Sequence, residues 1–339
     1  MVAVLSPSSM TDRALQTVHL RDEAAALEAT FLPGAGMLCA SLRHHGEDLL
    51  AQNAGVDAYV QSGKTMGIPL LYPWANRLAA FDYTIGEHTV QVPHDESLVH
   101  TDANGLPIHG VIGGRQVWQL AADGAEPGVS SLAASLSWSE EQMQLFEVFP
   151  FRHDLRYEAL LHNGRLEISI TIHACGTDAV PLAFGFHPYL SPGAQRDSWQ
   201  IELPAMRALT LDAQQIPTAP AQEPPAQEPP AQAPPTQASP VQVLPARRFE
   251  LDGREFDDGF DGVAAPACFG VTGGARQIEV TFLEGYPCAQ VFAPASGQFI
   301  CFEPMTAPAN ALRSGEGLRL LAAGESFVAR FAVAVSDAR

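Results

Sequence analysis

His187 is the residue whose surroundings point most directly to chemistry. It lies in the run Phe-Gly-Phe-His-Pro-Tyr-Leu at residues 184–190, so a titratable side chain is embedded among aromatic neighbours. Pro188 disfavours a helical conformation at His187, and we therefore expect His187 to end a strand. An imidazole at a strand end can face a cleft and transfer protons near neutral pH. Taken alone, however, the run fits a hydrogen-bonded core histidine better.

A single carboxylate, Glu303, follows the apolar residues 299–302 and precedes Pro304. Glutamate is seldom buried without a purpose, and burial would raise its pKa towards that of a working general base. The alternative is an exposed glutamate at the end of a strand, which Pro304 makes plausible.

Polar residues also stand beside two other apolar segments. Asn76 and Arg77 close the run at residues 67–75, and a guanidinium offers a rigid fork of donors suited to neutral oxygens or carboxylates in a cleft. His109 is held between a proline-containing segment and Gly110. The alternative for Arg77 is a surface arginine. In isolation, His109 is better explained as a turn histidine.

Three carboxylates, Asp257, Asp258 and Asp261, lie among aromatic residues at positions 256–261. A calcium site would need more oxygen ligands at regular spacing, and the EF-hand pattern is absent. A solvated acidic turn accounts for at least two of the three.

The elements that must position these residues are mainly strands. Apolar and polar residues alternate with a period of two over residues 167–173, 278–282 and 327–335, which is typical of half-buried antiparallel strands. Turn signals such as Asn163-Gly164 separate the runs. Residues 21–28 fit a short helix or a strand and turn. We predict an all-β protein, one large antiparallel β-sandwich with few short helices.

A low-complexity tract interrupts this pattern. From residue 220 the chain repeats Pro-Ala-Gln-Glu-Pro, without aromatic or branched aliphatic residues. Such a segment buries too little surface to offset its ordering entropy. We therefore predict a disordered Pro/Ala/Gln-rich insertion at 217–240. It interrupts a single domain at 17–336, and a flexible N-terminal segment at 1–16 precedes that domain.

Composition excludes several classes of partner. The 19 Lys and Arg against 38 Asp and Glu give a net charge of −19, which disfavours nucleic acid and anionic membrane surfaces. No run of eighteen apolar residues or basic leader occurs, which favours a cytoplasmic protein. The five cysteines lack metal-ligand spacing. Adjacent histidines on a strand would point to opposite faces and chelate poorly together, and a turn before Gly46 is the better interpretation of His44 and His45. We expect no metal and no cofactor.

Taken in order along the chain, these residues resemble the aldose 1-epimerase (mutarotase) family, with its galactose mutarotase-like β-supersandwich fold. The resemblance covers residues 17 to about 335. It implies that His187 is the general acid and Glu303 the general base that interconvert the anomers of an aldohexose. The implied substrate-binding residues are Asn76, Arg77, His109 and Asp257, with Asp258 as the alternative to Asp257.

Three other functions remain open from the sequence. A hexose-6-phosphate mutarotase would need additional cations near the site, for which Arg115, Arg152 and Arg156 are candidates. A non-catalytic carbohydrate-binding protein would need no matched acid and base. A glycoside hydrolase could pair Asp257 with Glu303, but His187 would then have no role. The expected partner is a small sugar, and the expected state is a monomer or weak homodimer.

Overall fold

Antiparallel strands dominate the computed structural model, which describes residues 16–116, 118–121, 129–218 and 242–338. The strands are β1 (Val18–Asp22), β2 (Leu27–Leu32), β3 (Leu38–His44), β4 (Glu47–Asp48), β5 (Leu70–Leu71), β6 (Asp82–Ile85), β7 (His88–Gln91), β8 (Val99–Thr101), β9 (Pro107–Val111), β10 (Gln119–Leu120), β11 (Ser130–Trp138), β12 (His153–His162), β13 (Arg165–Ala174), β14 (Val180–Leu182), β15 (Gly185–Phe186), β16 (Gln200–Leu203), β17 (Met206–Ala208), β18 (Gln242–Leu244), β19 (Arg247–Glu250), β20 (Phe256–Asp261), β21 (Ala267–Gly273), β22 (Arg276–Glu284), β23 (Cys288–Ala293), β24 (Cys301–Met305), β25 (Arg319–Leu321) and β26 (Ser326–Asp337). The α-helices are short: α1 (Gly55–Ser62), α2 (Met143–Val148) and α3 (Ala311–Ser314).

Two large sheets form the sandwich. One has nine strands in the order β10-β11-β12-β13-β26-β22-β21-β16-β19, and the other has seven in the order β18-β17-β20-β23-β24-β15-β5. Aromatic contacts between the sheets show that they pack face to face: Phe186 meets Phe331 with ring centroids 4.9 Å apart, and Phe269 meets Phe302 at 5.5 Å. Each fully buried phenylalanine contributes about 1.5–3 kcal/mol to folding. The all-β sandwich prediction is confirmed.

Alternation explains the central strands. In β13, inward-facing residues at even positions are buried while their neighbours are partly exposed, as predicted for residues 167–173. The other two alternating runs lie in β22 and β26. Asn163 and Gly164 both adopt positive φ and form the turn between β12 and β13. Asparagine and glycine suit this turn because they tolerate the left-handed region at low cost. Residues 23–26 form a turn between β1 and β2, so the strand-and-turn alternative is correct for residues 21–28.

The turn expected before Gly46 is present, but it brings the rings of His44 and His45 together. β3 ends at His44, and His45 enters the turn with φ 52°, so the strand alternation stops between them. Their ring centroids lie 4.2 Å apart as a result.

The predicted flexible segment at 1–16 and the Pro-rich insertion fall almost wholly outside the described residues, which exclude 1–15 and 219–241. On either side of the Pro-rich tract, β17 and β18 pair with each other in the seven-stranded sheet. Within the described ranges, no helix is long and apolar enough to cross a membrane.

Candidate active site

The pairing of β15 with β24 brings His187 and Glu303 together. Gly185 pairs with Met305, and continuing this antiparallel register places residue 187 opposite residue 303. Directly opposed residues project from the same face. The distance from His187 Nε2 to Glu303 Oε1 is 3.2 Å, and the two side chains are only 6% and 2% exposed. His187 follows β15 immediately, as expected of a strand end, whereas Glu303 lies inside β24 and is buried.

The close approach of these strands needs a glycine at position 185. A Cβ atom there would lie 2.5 Å from the backbone oxygen of Pro304, well inside van der Waals contact. The Phe-Gly-Phe-His run therefore supplies both the histidine and the space that lets its strand approach Glu303.

Gln290 extends the same row of side chains. It pairs with Glu303 between β23 and β24, so positions 187, 303 and 290 lie side by side across three neighbouring strands. Gln290 Nε2 donates a hydrogen bond of 2.7 Å to Asp257 Oδ1. Asp257 lines the cavity described below, whereas Asp258 does not line it and is exposed.

Asn76 and His109 are held by an unusual backbone arrangement. Both residues adopt the left-handed region, with φ 54° and 66°, and the His109 N–H donates to the Asn76 carbonyl oxygen at 2.9 Å. Such conformations cost about 1–3 kcal/mol each and persist where the surrounding structure enforces them. Here Gly110 lets its strand contact Tyr72, because a Cβ at residue 110 would lie 2.1 Å from the Tyr72 oxygen.

Arg77 is anchored by three neighbours. Its Nε donates to Asp102 Oδ2 at 2.7 Å, one terminal nitrogen donates to Asn76 Oδ1 at 3.0 Å, and the other lies 3.8 Å from Asp257 Oδ2. Asp102 also accepts backbone N–H bonds from Asn104 and Leu106. Burial alone would raise the pKa of Asp102, but these hydrogen bonds hold it below its ordinary value, so Asp102 is a carboxylate at neutral pH.

These side chains surround a cavity of about 170 Å³. One water needs roughly 10–15 Å³ on this measure, so the cavity has room for a small ring and its hydroxyl groups. Its lining is Asn76, Arg77, Ile108, His109, His187, Tyr189, Asp257, Gln290, Phe292 and Glu303. The Tyr189 ring stacks on His187 at 4.3 Å between centroids, and its hydroxyl bonds to Thr65 Oγ1 at 2.6 Å.

Burial shifts the two opposed titratable groups in opposite directions. It lowers the pKa of His187 to about 3 and raises the pKa of Glu303 well above its ordinary value, with the Asp257 carboxylate adding to the second shift. Burial therefore favours the uncharged form of both groups, a protonated Glu303 facing a neutral His187. Burial, His187 and Arg77 lower the pKa of His109 well below its ordinary value, so His109 is neutral as well.

A model of the aldose 1-epimerase family matches residues 16–334. The chain belongs to the aldose 1-epimerase family. It is 24% identical to the Escherichia coli protein YihR over 259 residues, which are 76% of this chain and 75% of YihR. Among solved structures, the Slr1438 protein from Synechocystis has a TM-score of 0.71 at 22% identity, with both chains fully covered. A galactose mutarotase-like protein from Clostridium acetobutylicum has a TM-score of 0.72 at 13% identity, covering 96% of this chain and 99% of its own.

Within this epimerase fold, all six site residues predicted from the sequence line the cavity. The three arginines considered for phosphate binding do not line it. Arg115 donates to the Ser97 backbone oxygen, and the other two pair with glutamates outside the cavity lining, Arg152 with Glu140 and Arg156 with Glu158.

Sequence reasoning missed four of the lining residues, Ile108, Tyr189, Gln290 and Phe292, and also Asp102, which binds Arg77. Tyr189 stood in the same run as His187, and Gln290 was visible as a polar residue within an apolar strand.

Proposed function

We propose that the protein interconverts the α and β anomers of an unphosphorylated aldohexose. The observation that carries this proposal is the opposed His187–Glu303 pair, 3.2 Å apart at the wall of a ring-sized cavity. Anomer exchange needs an acid and a base at two oxygens bonded to the same carbon, the ring oxygen O5 and the hydroxyl O1. Groups that act on neighbouring oxygens must themselves be neighbours, as these are.

Ring opening begins once the shared proton has moved from Glu303 to His187, which leaves a carboxylate beside an imidazolium. The Arg77 guanidinium favours this carboxylate form of Glu303. Glu303 then accepts the proton of the O1 hydroxyl, and the released electron pair forms the C1=O1 bond. The C1–O5 bond breaks with its electrons on O5, which takes the proton from His187.

After this step the pair is again a protonated Glu303 and a neutral His187, the form that burial favours. Rotation about C1–C2 presents the other face of the carbonyl to O5, and the reverse transfers close the ring as the opposite anomer. The proton is returned in each cycle, so the reaction consumes no external acid or base. Acid–base chemistry of this kind requires no metal or organic cofactor.

The remaining lining residues would hold the sugar hydroxyls. Arg77 is a donor, Asp257 is an acceptor, and the amide of Gln290 offers both functions. His109 has a buried Nδ1 without a hydrogen-bond partner among the described residues, which leaves that atom available to the substrate. The Asp257 side chain is 36% exposed, so the cavity is open to solvent beside it.

Cavity charge favours a neutral sugar over a hexose 6-phosphate. Arg77 is the one Arg or Lys among the lining residues, and Asp102 and Asp257 already surround it. A phosphate group would approach Asp257 without an unpaired cation to receive it. A non-catalytic sugar-binding protein is disfavoured because burying a matched acid and base would serve it no purpose.

Polarimetry tests the proposal. Freshly dissolved α-D-glucose, α-D-galactose and glucose 6-phosphate are followed with and without the protein, under conditions that suppress spontaneous mutarotation. We expect acceleration for at least one neutral sugar and a lower kcat/KM for the phosphorylated one. No acceleration for any neutral aldohexose would contradict the proposal, and preference for glucose 6-phosphate would contradict the substrate assignment.

A further inference from the structure

A second cluster of potential ligands lies where β3 meets the end of β26. The side chains of His44, His45 and Asp337 place one ligand atom each within 4.8 Å of one another. None of the three lines the catalytic cavity. The cluster joins the four-stranded sheet that contains β3 to the end of β26, the central strand of the nine-stranded sheet.

The backbone of His45 creates this cluster. With φ 52°, His45 leaves the strand alternation, and its ring packs against that of His44 at a centroid distance of 4.2 Å. Adjacent histidines in a regular strand would point to opposite faces and could not share a ligand. Strained left-handed conformations at non-glycine residues are found preferentially at functional sites.

His44 also carries an unused ligand atom. The residue is 5% exposed, and its Nδ1 is buried without a hydrogen-bond partner among the described residues. Leaving a buried polar atom unsatisfied costs about 1–3 kcal/mol, a cost that coordination of an ion by Nδ1 itself would remove.

We propose that His44, His45 and Asp337 form a binding site for a divalent first-row transition ion. Two imidazoles and one carboxylate match the donor preference of Zn²⁺, Ni²⁺ and Cu²⁺, whereas Mg²⁺ and Ca²⁺ prefer oxygen ligands alone. His45 and Asp337 are exposed, so their side chains can close around an ion, and water would complete its coordination. The neighbouring Arg276 is paired with Glu47 at 2.6 Å, which offsets its positive charge near the site.

The site would fasten the β3–β4 hairpin to the end of β26, so its contribution would be to stability and not to proton transfer. This proposal is independent of the sugar chemistry, because the two sets of residues do not overlap.

The test is a calorimetric titration of the full-length, untagged, chelator-treated protein with Zn²⁺. A polyhistidine tag must be absent because it would bind the ion itself. We expect one ion per chain and weaker binding of at least about tenfold in His45→Ala and in Asp337→Asn, the scale on which single groups at metal sites act. Both residues are exposed, so neither variant should unfold the protein.

His173→Ala is the matched control, because His173 is also exposed and stands on a different strand, where it bonds to Ser326. It should bind Zn²⁺ like the unaltered protein. Thermal unfolding with and without Zn²⁺ supplies a second readout, and the rise in Tm should disappear in His45→Ala. Failure of the unaltered protein to bind Zn²⁺ would overturn the proposal, as would equal affinities in His45→Ala and His173→Ala.

Discussion

Replacing Asp102 with Asn tests how Arg77 is positioned. Asp102 Oδ1 accepts the backbone N–H groups of Asn104 and Leu106, while Oδ2 accepts Arg77 Nε. In Asp102→Asn the carbonyl oxygen can keep both backbone bonds, so the amide nitrogen must face Arg77 Nε. Two donors would then oppose each other in a site where the aspartate is only 7% exposed.

Asp102→Asn removes one charge-assisted hydrogen bond, which contributes about 1.5–3 kcal/mol. If this whole free energy were lost from transition-state binding, kcat/KM would fall about 10- to 150-fold. Arg77 retains Asn76 and Asp257, so the lower part of this range is expected. The change should appear mainly in KM, because in the proposed mechanism Arg77 would contact the sugar both before and during ring opening.

Initial mutarotation rates over a range of sugar concentrations separate kcat from KM. Asp261→Asn is the control, since it disrupts a bidentate Arg207–Asp261 pair at the protein surface, where such pairs contribute about 0–1 kcal/mol. The reasoning would be refuted by equal kcat/KM values in the two folded variants. A fall confined to kcat would show instead that Arg77 acts only in the transition state.

Three further predictions concern pH, backbone space and the Pro-rich tract. Because burial lowers the pKa of His187 to about 3 and raises that of Glu303, kcat/KM should not fall as pH decreases through 6.5, and it should decline as pH rises through the Glu303 pKa; a loss of activity as pH falls through 6.5 would contradict this. Gly110→Ala should lower the free energy of unfolding by more than backbone strain alone, which costs about 1–3 kcal/mol, because its Cβ would also clash with Tyr72. Gly86→Ala, whose Cβ meets nothing within 4 Å, should show the strain only. Equal losses of Tm in the two variants would contradict the clash at residue 110. Deleting residues 219–238 should leave Tm and turnover unchanged, and a large drop in either would show that the tract contributes to the fold.

Local patterns predicted the strands well but not their pairing. The alternation over residues 167–173 and the Asn163-Gly164 turn each depend on a few neighbouring residues, so the sequence alone identifies the β12–β13 hairpin. By contrast, the register that opposes His187 to Glu303 joins distant segments of the chain. The sequence indicated both residues as candidates. They were linked as a pair only because the motifs occur in the same order as in a known family.

Polar residues whose role arises from tertiary contacts escaped prediction. Gln290 lies in an apolar strand, and its role arises from two contacts in the folded protein. It is paired with Glu303 on the neighbouring strand, and it donates a hydrogen bond to Asp257. Asp102 likewise owes its role to Arg77, from which it accepts a hydrogen bond in the folded protein. The turn at His45 was predicted from Gly46, but the packing of the His45 ring against His44 was not.

Anomer exchange by Glu303→Gln tests the central claim most directly. Glutamine keeps the size of the side chain but cannot take up or release the shared proton. Exchange between α and β sugar, measured by NMR magnetisation transfer, should fall by at least about 100-fold relative to the unaltered protein, the lower bound for one positioned proton-transfer group. Glu284→Gln, at the exposed end of β22, should exchange normally. Near-normal exchange in folded Glu303→Gln would contradict the assignment of the His187–Glu303 pair as the catalytic acid and base.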